Sequence, residues 1–165
     1  MARYIRRGTT KIFFVEGAGS IATVSAPDLS TELTDVVDLT CGVAEVSGFS
    51  FQNNPIDVPD MCSEFVPKIP GEDTADDSEM TFYDDNTSNP IWDVLQKGAA
   101  GYILLFPYGV GGGDNETIIA LDECEVWPVS VAKTTREWSA GNDAAKFMTT
   151  FTITGPPSQN ATVAA

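Results

Sequence analysis

Glycine and proline divide this chain into short β-type stretches, and that division most limits the folds it can adopt. The 165 residues include 14 glycines and 10 prolines. The stretches between them are rich in β-branched and aromatic residues, which favour strands. One stretch carries helix signals: Ser88 or Asn89 as N-cap, Pro90 at the first position and Gly98 as C-cap. The pattern predicts a mainly β protein, a β-sandwich or barrel of about seven strands with one short helix covering one side.

Two of the predicted strands also show how they are buried. The stretch 102–108 is almost continuously apolar, which predicts burial on both faces. In the stretch 146–154, phenylalanine and isoleucine alternate with lysine and threonine, which predicts one buried face and one polar face. Gly48 predicts a bulge or bend, and residues 28–40 fit either a short helix or an extended segment. The predicted strands are 9–15, 43–51, 78–83, 102–108, 117–121, 124–132 and 146–154.

These elements form a single predicted domain over residues 1–154. Pro156 ends the last strand, and the polar composition of residues 155–165 predicts a loose C-terminal tail. The glycine-rich run 109–113 follows a strand, but no Gly-Lys-Ser/Thr or helix comes after it. It therefore predicts a hairpin tip rather than a phosphate-binding loop.

The segment 53–74 stands apart because it contains Pro55, Pro59, Pro67 and Pro70. Prolines at this density exclude a helix and a central strand, so the segment contains at best a short edge strand at 64–68. It is nevertheless apolar, with methionine, phenylalanine, valine and isoleucine among its residues. We expect an ordered extension that packs against another surface, such as that of a second subunit.

Charge is strongly uneven along the chain. The first eleven residues hold four basic side chains and no acidic one, whereas residues 12–165 hold five basic and 24 acidic ones, a net charge of −19. Such a chain would be repelled by DNA and by anionic membranes. Two interpretations remain open: a solvated, repelling surface, or a cationic arm that joins copies of an anionic body.

The residue types argue against catalysis. The chain has no histidine, which excludes Ser-His-Asp and Cys-His nucleophile systems and HExxH zinc sites. The acidic clusters near 73–79 and 84–86 lack the spacing of a calcium loop. We predict no catalytic, metal or cofactor residues. A carbohydrate-binding or paired-carboxylate glycosidase module is the alternative, since the chain has many carboxylates and also aromatic side chains that could stack on sugars.

The cysteines and the apolar pattern give two further expectations. Cys41, Cys62 and Cys124 are widely spaced and odd in number, which predicts reduced thiols rather than a disulfide framework. No stretch approaches the ~20 apolar residues of a membrane helix, and no secretory signal is expected.

Seven motifs carry a family resemblance, at 3–11, 48–61, 65–78, 81–85, 101–103, 106–109 and 125–129. Together they resemble the major tail tube proteins of long-tailed, siphovirus-type phages of actinobacteria. The resemblance covers most of residues 1–154 and is weakest at 16–42 and 109–123.

The resemblance implies a virion protein assembled in the bacterial host cytoplasm, whose β-sandwich subunits form homohexameric rings and share one ring-shaped β-barrel. Stacked rings would form a tube with other tail proteins at its ends, and a non-contractile tail is the better match to the family. Double-stranded DNA would pass through an acidic lumen without specific binding. The resemblance also implies inter-subunit contacts through the N-terminal arm (Arg3, Tyr4, Arg6, Arg7 and Lys11) and through the long loop (Pro55, Ile56, Met61, Phe65, Val66, Pro67 and Ile69).

Overall fold

The computed structural model describes residues 5–62, 64–113 and 117–165 and confirms a mainly β fold. One short α-helix, α1, spans Pro90–Val94. No helix among the described residues is long and apolar enough to cross a membrane. The strands are β1 (Lys11–Glu16), β2 (Val36–Asp38), β3 (Val43–Ser47), β4 (Phe51–Asn53), β5 (Ile56–Asp57), β6 (Lys68–Ile69), β7 (Asp73–Ala75), β8 (Ser78–Tyr83), β9 (Ala100–Phe106), β10 (Glu123–Glu137), β11 (Lys146–Ile153) and β12 (Ser158–Thr162).

Eight of these strands form one antiparallel sheet, in the order β2-β1-β9-β10-β11-β8-β3, with β12 paired to β10. The 15-residue strand β10 holds the sheet together. On one side it pairs with β9 through residues 125–130. On the other side it pairs first with β12 and then, from residue 129 onward, with β11. A register shift between Val131 and Lys133 lets the strand bend between its two halves.

The first core lies between the inward faces of the curved sheet. It contains the aromatic side chains of Phe14, Phe82, Trp127, Phe147 and Phe151, all with no exposed surface. Ile91, Trp92 and Val94 of α1 pack against this core from one side, as the apolar pattern of the helix predicts. Asn89 caps α1 as predicted, since its side chain accepts a hydrogen bond from Trp92 N.

A second core covers the opposite face of β1, β9 and the first half of β10. Tyr102, Leu104 and Phe106 contribute to it, while Ile103 of the same strand belongs to the first core. This division confirms the prediction that β9 is buried on both faces. The covering residues come from loops and include Ile21, Leu33, Val110 and Ile118.

The C-terminal residues are ordered, so the prediction of a loose tail over 155–165 was wrong. Residues 158–162 form β12, with Ala161 opposite Cys124 of β10. Ala161 and Val163 are buried in the second core. The polar composition was misleading because a strand at a sheet edge is held by backbone hydrogen bonds, which do not depend on side-chain polarity.

Two further predictions need correction. Residues 117–121 are not a strand: they form a turn around the buried carboxylate of Asp122, whose Oδ2 accepts hydrogen bonds from Gly111 N and Ile119 N. The helix is also shorter than predicted, because Leu95 and not Gly98 occupies the C-cap. Gly98 donates its N–H to Val131 O instead, which ties the residues after the helix to β10.

Candidate assembly surfaces

The proline-containing segment forms a projecting β-ribbon, which we define as residues 51–75. Two short antiparallel ladders build it, β4 with β7 and β5 with β6. The strand predicted at 64–68 lies instead at Lys68–Ile69, opposite Ile56 and Asp57. The prolines fit because each ladder is only two or three residues long and the prolines lie between or beyond them. The ribbon leaves the main sheet between β3 and β8.

Most of the ribbon is exposed, including its apolar side chains. Met61 is fully exposed, Phe65 is 75% exposed, and Pro67 alone among the predicted loop residues is half-buried. Ile56, Val58, Val66 and Ile69 are also classed as exposed. Exposed apolar side chains in this number on one projecting segment favour an interaction site.

The base of the ribbon is fixed to the first core by two residues with left-handed backbone conformations. Gly48 has φ of +85° and Phe49 has φ of +52°. The Phe49 ring lies edge-on to Trp127, with 5.7 Å between ring centroids, and its N–H donates to the buried Ser78 Oγ at 2.8 Å. The ribbon is therefore held in a defined direction where it leaves the body. The bend at Gly48 was predicted correctly. The contact of Phe49 with Ser78 was not predicted. The glycine directly before an aromatic residue is the sequence signal that could have indicated it.

Replacing Gly48 by alanine is expected to lower the free energy of unfolding by about 1–3 kcal/mol. A Cβ at this position would lie 2.7–2.9 Å from atoms of Ser78, in addition to the cost of the left-handed backbone. Gly19→Ala is the matched control, because Gly19 has φ of +83° and open space around it. Chemical denaturation of both variants separates the two effects, and equal losses would contradict a steric role for Ser78.

The described part of the N-terminal arm contains a turn at residues 6–10. Arg6 O accepts hydrogen bonds from Thr9 N and Thr10 N, and Gly8 has φ of +82°. Arg6 and Arg7 are exposed, and Lys11 is half-buried at the start of β1. The predicted arm residues Arg3 and Tyr4 lie outside the described residues.

Arm cations have no carboxylate partner within the described part of the chain. The two ion pairs there join Lys68 to Asp57 and Arg136 to Asp84. Arg6 and Arg7 instead line one wall of a cleft whose other wall is the edge strand β3. Arg6 and Arg7 therefore carry exposed positive charge on a body whose net charge is −19.

A polar face covers the outer side of four strands, the second half of β10 with β11, β8 and β3. The side chains on it lie in cross-strand rows, such as Lys133, Thr150, Glu79 and Ser47. Thr150 Oγ1 donates to Glu79 Oε1 at 3.4 Å. The alternation predicted for the last strand is confirmed, and Glu79, Thr81 and Tyr83 of β8 alternate with buried neighbours in the same way.

Both lateral edges of this four-stranded unit are open among the residues that the structure describes. No strand pairs with the outer edge of β3. β9 ends at Ala100 opposite Ser130, so residues 133–137 of β10 pair with β11 on one side and with no strand on the other. Open edges of this type are templates for strand pairing with another chain.

Two of the acidic residues near 73–86, Asp84 and Asp77, make structural contacts with other segments. Asp84 accepts hydrogen bonds from Asn89 Nδ2 at 2.7 Å and from Arg136 Nε at 2.8 Å, and the Arg136 guanidinium lies 4.0 Å above the Trp92 ring. Asp77 accepts from Thr152 Oγ1 at 2.9 Å. Within the described ranges no cluster of histidine, cysteine, aspartate or glutamate could hold a metal ion.

The three thiols are expected to differ sharply in reactivity. Cys41 and Cys62 are exposed, whereas Cys124 is buried, and burial raises the pKa of its thiol to about 12. Because the thiolate is the reactive form, Cys124 should be inert at pH 8 in the folded protein. Titration with a thiol reagent should give two fast equivalents, and the third only in denaturant. Three fast equivalents would contradict the burial of β10 against β12.

These features define a structural β protein whose exposed apolar ribbon, cationic turn at Arg6 and Arg7 and open sheet edges suit assembly better than catalysis. A sequence model of the phage tail tube protein family matches residues 1–165. The chain therefore belongs to the phage tail tube protein family. It is a structural component of the phage virion tail and not an enzyme, and the glycosidase alternative has no support.

Solved structures similar to the chain agree with this fold. One is a chain in the six-fold symmetrised baseplate of the anti-feeding prophage, with 8% identity, coverage of 94% of this chain and 95% of that chain, and a TM-score of 0.62. A second is in the sheath/tube terminator of an extracellular contractile injection system in the extended state, with 11% identity, coverage of 94% and 96%, and a TM-score of 0.62. A third is in the tail of an empty GTA particle with C6 symmetry, with 12% identity, coverage of 97% and 100%, and a TM-score of 0.54. No curated protein matches the chain.

Proposed function

We propose that this protein is the major tail tube subunit, which forms homohexameric rings that stack into a tube for the phage genome. The observation that carries the proposal is the four-stranded unit with a polar outer face and two open edges. Joined edge to edge, such units close into a barrel with the polar face inside and the first core outside.

Strand direction permits this closure. The four strands alternate in direction, so β3 of one copy and β10 of the next would run antiparallel, as their neighbours do. Six copies would supply about 24 strands, and a spacing of ~4.8 Å gives a circumference of roughly 115 Å. Glu45 on β3 and Lys133 near the other edge have opposite charges, which favours this pairing.

Six-fold symmetry in two of the similar assemblies supports the choice of six copies. The anti-feeding prophage baseplate is six-fold symmetrised, and the GTA tail has C6 symmetry. We extend the proposal to a long-tailed phage of actinobacteria, to assembly in the host cytoplasm and to other tail proteins at the tube ends.

The proposed lumen wall is only mildly acidic. Its rows hold the carboxylates of Glu45, Glu79 and Glu137 against the ammonium groups of Lys133 and Lys146, and most of the other side chains are hydroxyl-bearing. A wall without excess cations gives the DNA phosphates few sites for ion pairing. Duplex DNA would therefore slide past it without binding.

The arm and the ribbon would supply the contacts between subunits. In this role the predicted residues Arg3, Tyr4, Arg6, Arg7 and Lys11 act from the arm. Pro55, Ile56, Met61, Phe65, Val66, Pro67 and Ile69 act from the ribbon.

Native size and negative-stain electron microscopy of concentrated protein test the proposal. Six-fold rings or tubes of constant width are the expected result. The proposal would be contradicted by two results together. The isolated protein would stay monomeric at high concentration, and it would form no part of the tube wall in the tails of virions that contain it.

A further inference from the structure

We infer that the indole of Trp138 in one ring inserts into a pocket beside the end of β11 in the next ring, and that this contact stacks the rings. The inference rests on the proposed function, because it names the surfaces through which the proposed rings would meet. The two surfaces lie at opposite ends of the β10–β11 hairpin.

Trp138 is the most exposed aromatic side chain among the described residues, with 90% of it exposed. It follows the last residue of β10 and opens the loop 138–145, all of which is exposed. Tryptophan is among the residue types that most often anchor a protein interface by filling a pocket on the partner. The loop therefore carries a side chain suited to insertion into another surface.

The pocket that would receive it has a volume of about 380 Å³. This volume falls in the roughly 300–1,000 Å³ range of sites that hold small organic groups. Phe51, Ile153, Pro156 and Pro157 supply apolar walls, and the side chain of Asp73 offers an acceptor. An indole needs both, because its ring is apolar and its N–H requires a partner when it is buried.

Backbone contacts form both walls of the pocket in the free chain. Thr154 N donates to Pro128 O at 3.0 Å, which ties the residues after β11 to β10. On the other wall, Phe51 of β4 lies opposite Ala75 of β7. The two prolines have restricted φ angles, so little backbone freedom is lost when a side chain enters.

Trp138 cannot reach this pocket within its own chain. The hairpin pairs Glu137 with Lys146 at one end and Val129 with Ile153 at the other. Seven residue steps of β11 separate these pairs, which is about 23 Å at ~3.3 Å per residue. The occupant is therefore the Trp138 of a second copy.

The proposed barrel brings these two ends together. Strands of a closed barrel are tilted but run from one rim to the other, so the two ends of the hairpin lie at opposite rims of a ring. When identical rings stack head to tail, the rim with Trp138 meets the rim with the pocket. Such a contact joins two different patches, so it propagates along the tube instead of closing as a pair.

One variant on each surface tests the contact. Trp138→Ala removes the inserted side chain, and Thr154→Trp fills the pocket from its own exposed wall. In both variants we expect rings to form, because β3 and β10 are unchanged. The protein concentration needed for tubes should rise about thirtyfold or more, as for the loss of an interface anchor.

Mixing the two variants gives a sharper result. The Trp138→Ala ring keeps an open pocket, and the Thr154→Trp ring keeps its Trp138. When rings of the two kinds are mixed after they have formed, each should join one ring of the other kind. Electron microscopy should then show stacks of two rings and no longer tubes.

Leu121→Ala is the control for loss of exposed apolar surface. Leu121 is 80% exposed and lies in the turn before β10, so this variant should form tubes like the wild type. Thermal unfolding of each variant confirms that it is folded.

Three results would overturn the inference. They are tubes of normal length from folded Trp138→Ala protein, loss of rings as well as tubes in that variant, and a mixture without two-ring stacks. Wild-type protein that forms neither rings nor tubes, and no part of the tube wall in virions, would instead refute the proposed function.

Discussion

A chain in which residues 55–71 are replaced by Asn-Gly is expected to fold normally and to lose assembly completely. Asn54 N donates to Glu72 O, so these two residues form the hydrogen-bonded pair that a two-residue Asn-Gly turn closes. The deletion removes the exposed apolar side chains of the ribbon except Phe51, and it leaves both buried cores intact. Thermal unfolding should shift by only a few degrees, while rings and tubes disappear from electron micrographs.

Met61→Leu is the matched control for this deletion. It keeps the full ribbon and a fully exposed apolar side chain at the same position, so assembly should persist. A shortened chain that folds and still forms tubes of normal length would show that the ribbon has no part in assembly.

The Trp127→Ala variant is expected to lose about 3–5 kcal/mol of stability, because it opens the largest cavity that a single substitution can make in the first core. Trp127 has no exposed surface, and its ring supports Phe49 at the base of the ribbon. Its Nε1 also donates to Glu125 Oε2 at 3.2 Å. The melting temperature should fall by roughly 6–20 °C for a domain of this size.

Trp138 supplies the control for that substitution. It follows the last residue of the same strand, and 90% of its side chain is exposed. Trp138→Ala removes the same side chain without opening a cavity, so its melting temperature should stay within about 2 °C of the wild type. Equal losses in the two variants would contradict the position of Trp127 in the core.

Side-chain periodicity made the central sheet predictable from sequence. The alternation in residues 146–154 predicted the buried face and the polar face of β11. The apolar run at 102–108 predicted that β9 is buried on both faces. Composition also indicated that residues 53–74 form an ordered extension from the domain. In these two strands the burial of a side chain decides the structure, and burial leaves a pattern in the residue types.

Features that depend on backbone hydrogen bonds left no such pattern. The polar strand β12 and the ribbon ladders at Ile56 and Lys68 are built from main-chain bonds between distant segments, so residue types alone missed them. The edges of β3 and β10 are likewise properties of topology. The distinction between the strongly acidic chain and the mildly acidic polar face also requires knowledge of which strands are neighbours.

The most direct test of the account is a cryo-electron microscopy reconstruction of the assembled tube at a resolution that identifies side chains. We predict six subunits per ring, β3 of each copy paired with β10 of the next, and a lumen lined by the rows that contain Thr150, Lys133 and Glu79. A tube whose lumen is lined by α1 or by the second core, or in which β3 and β10 do not meet, would contradict the account.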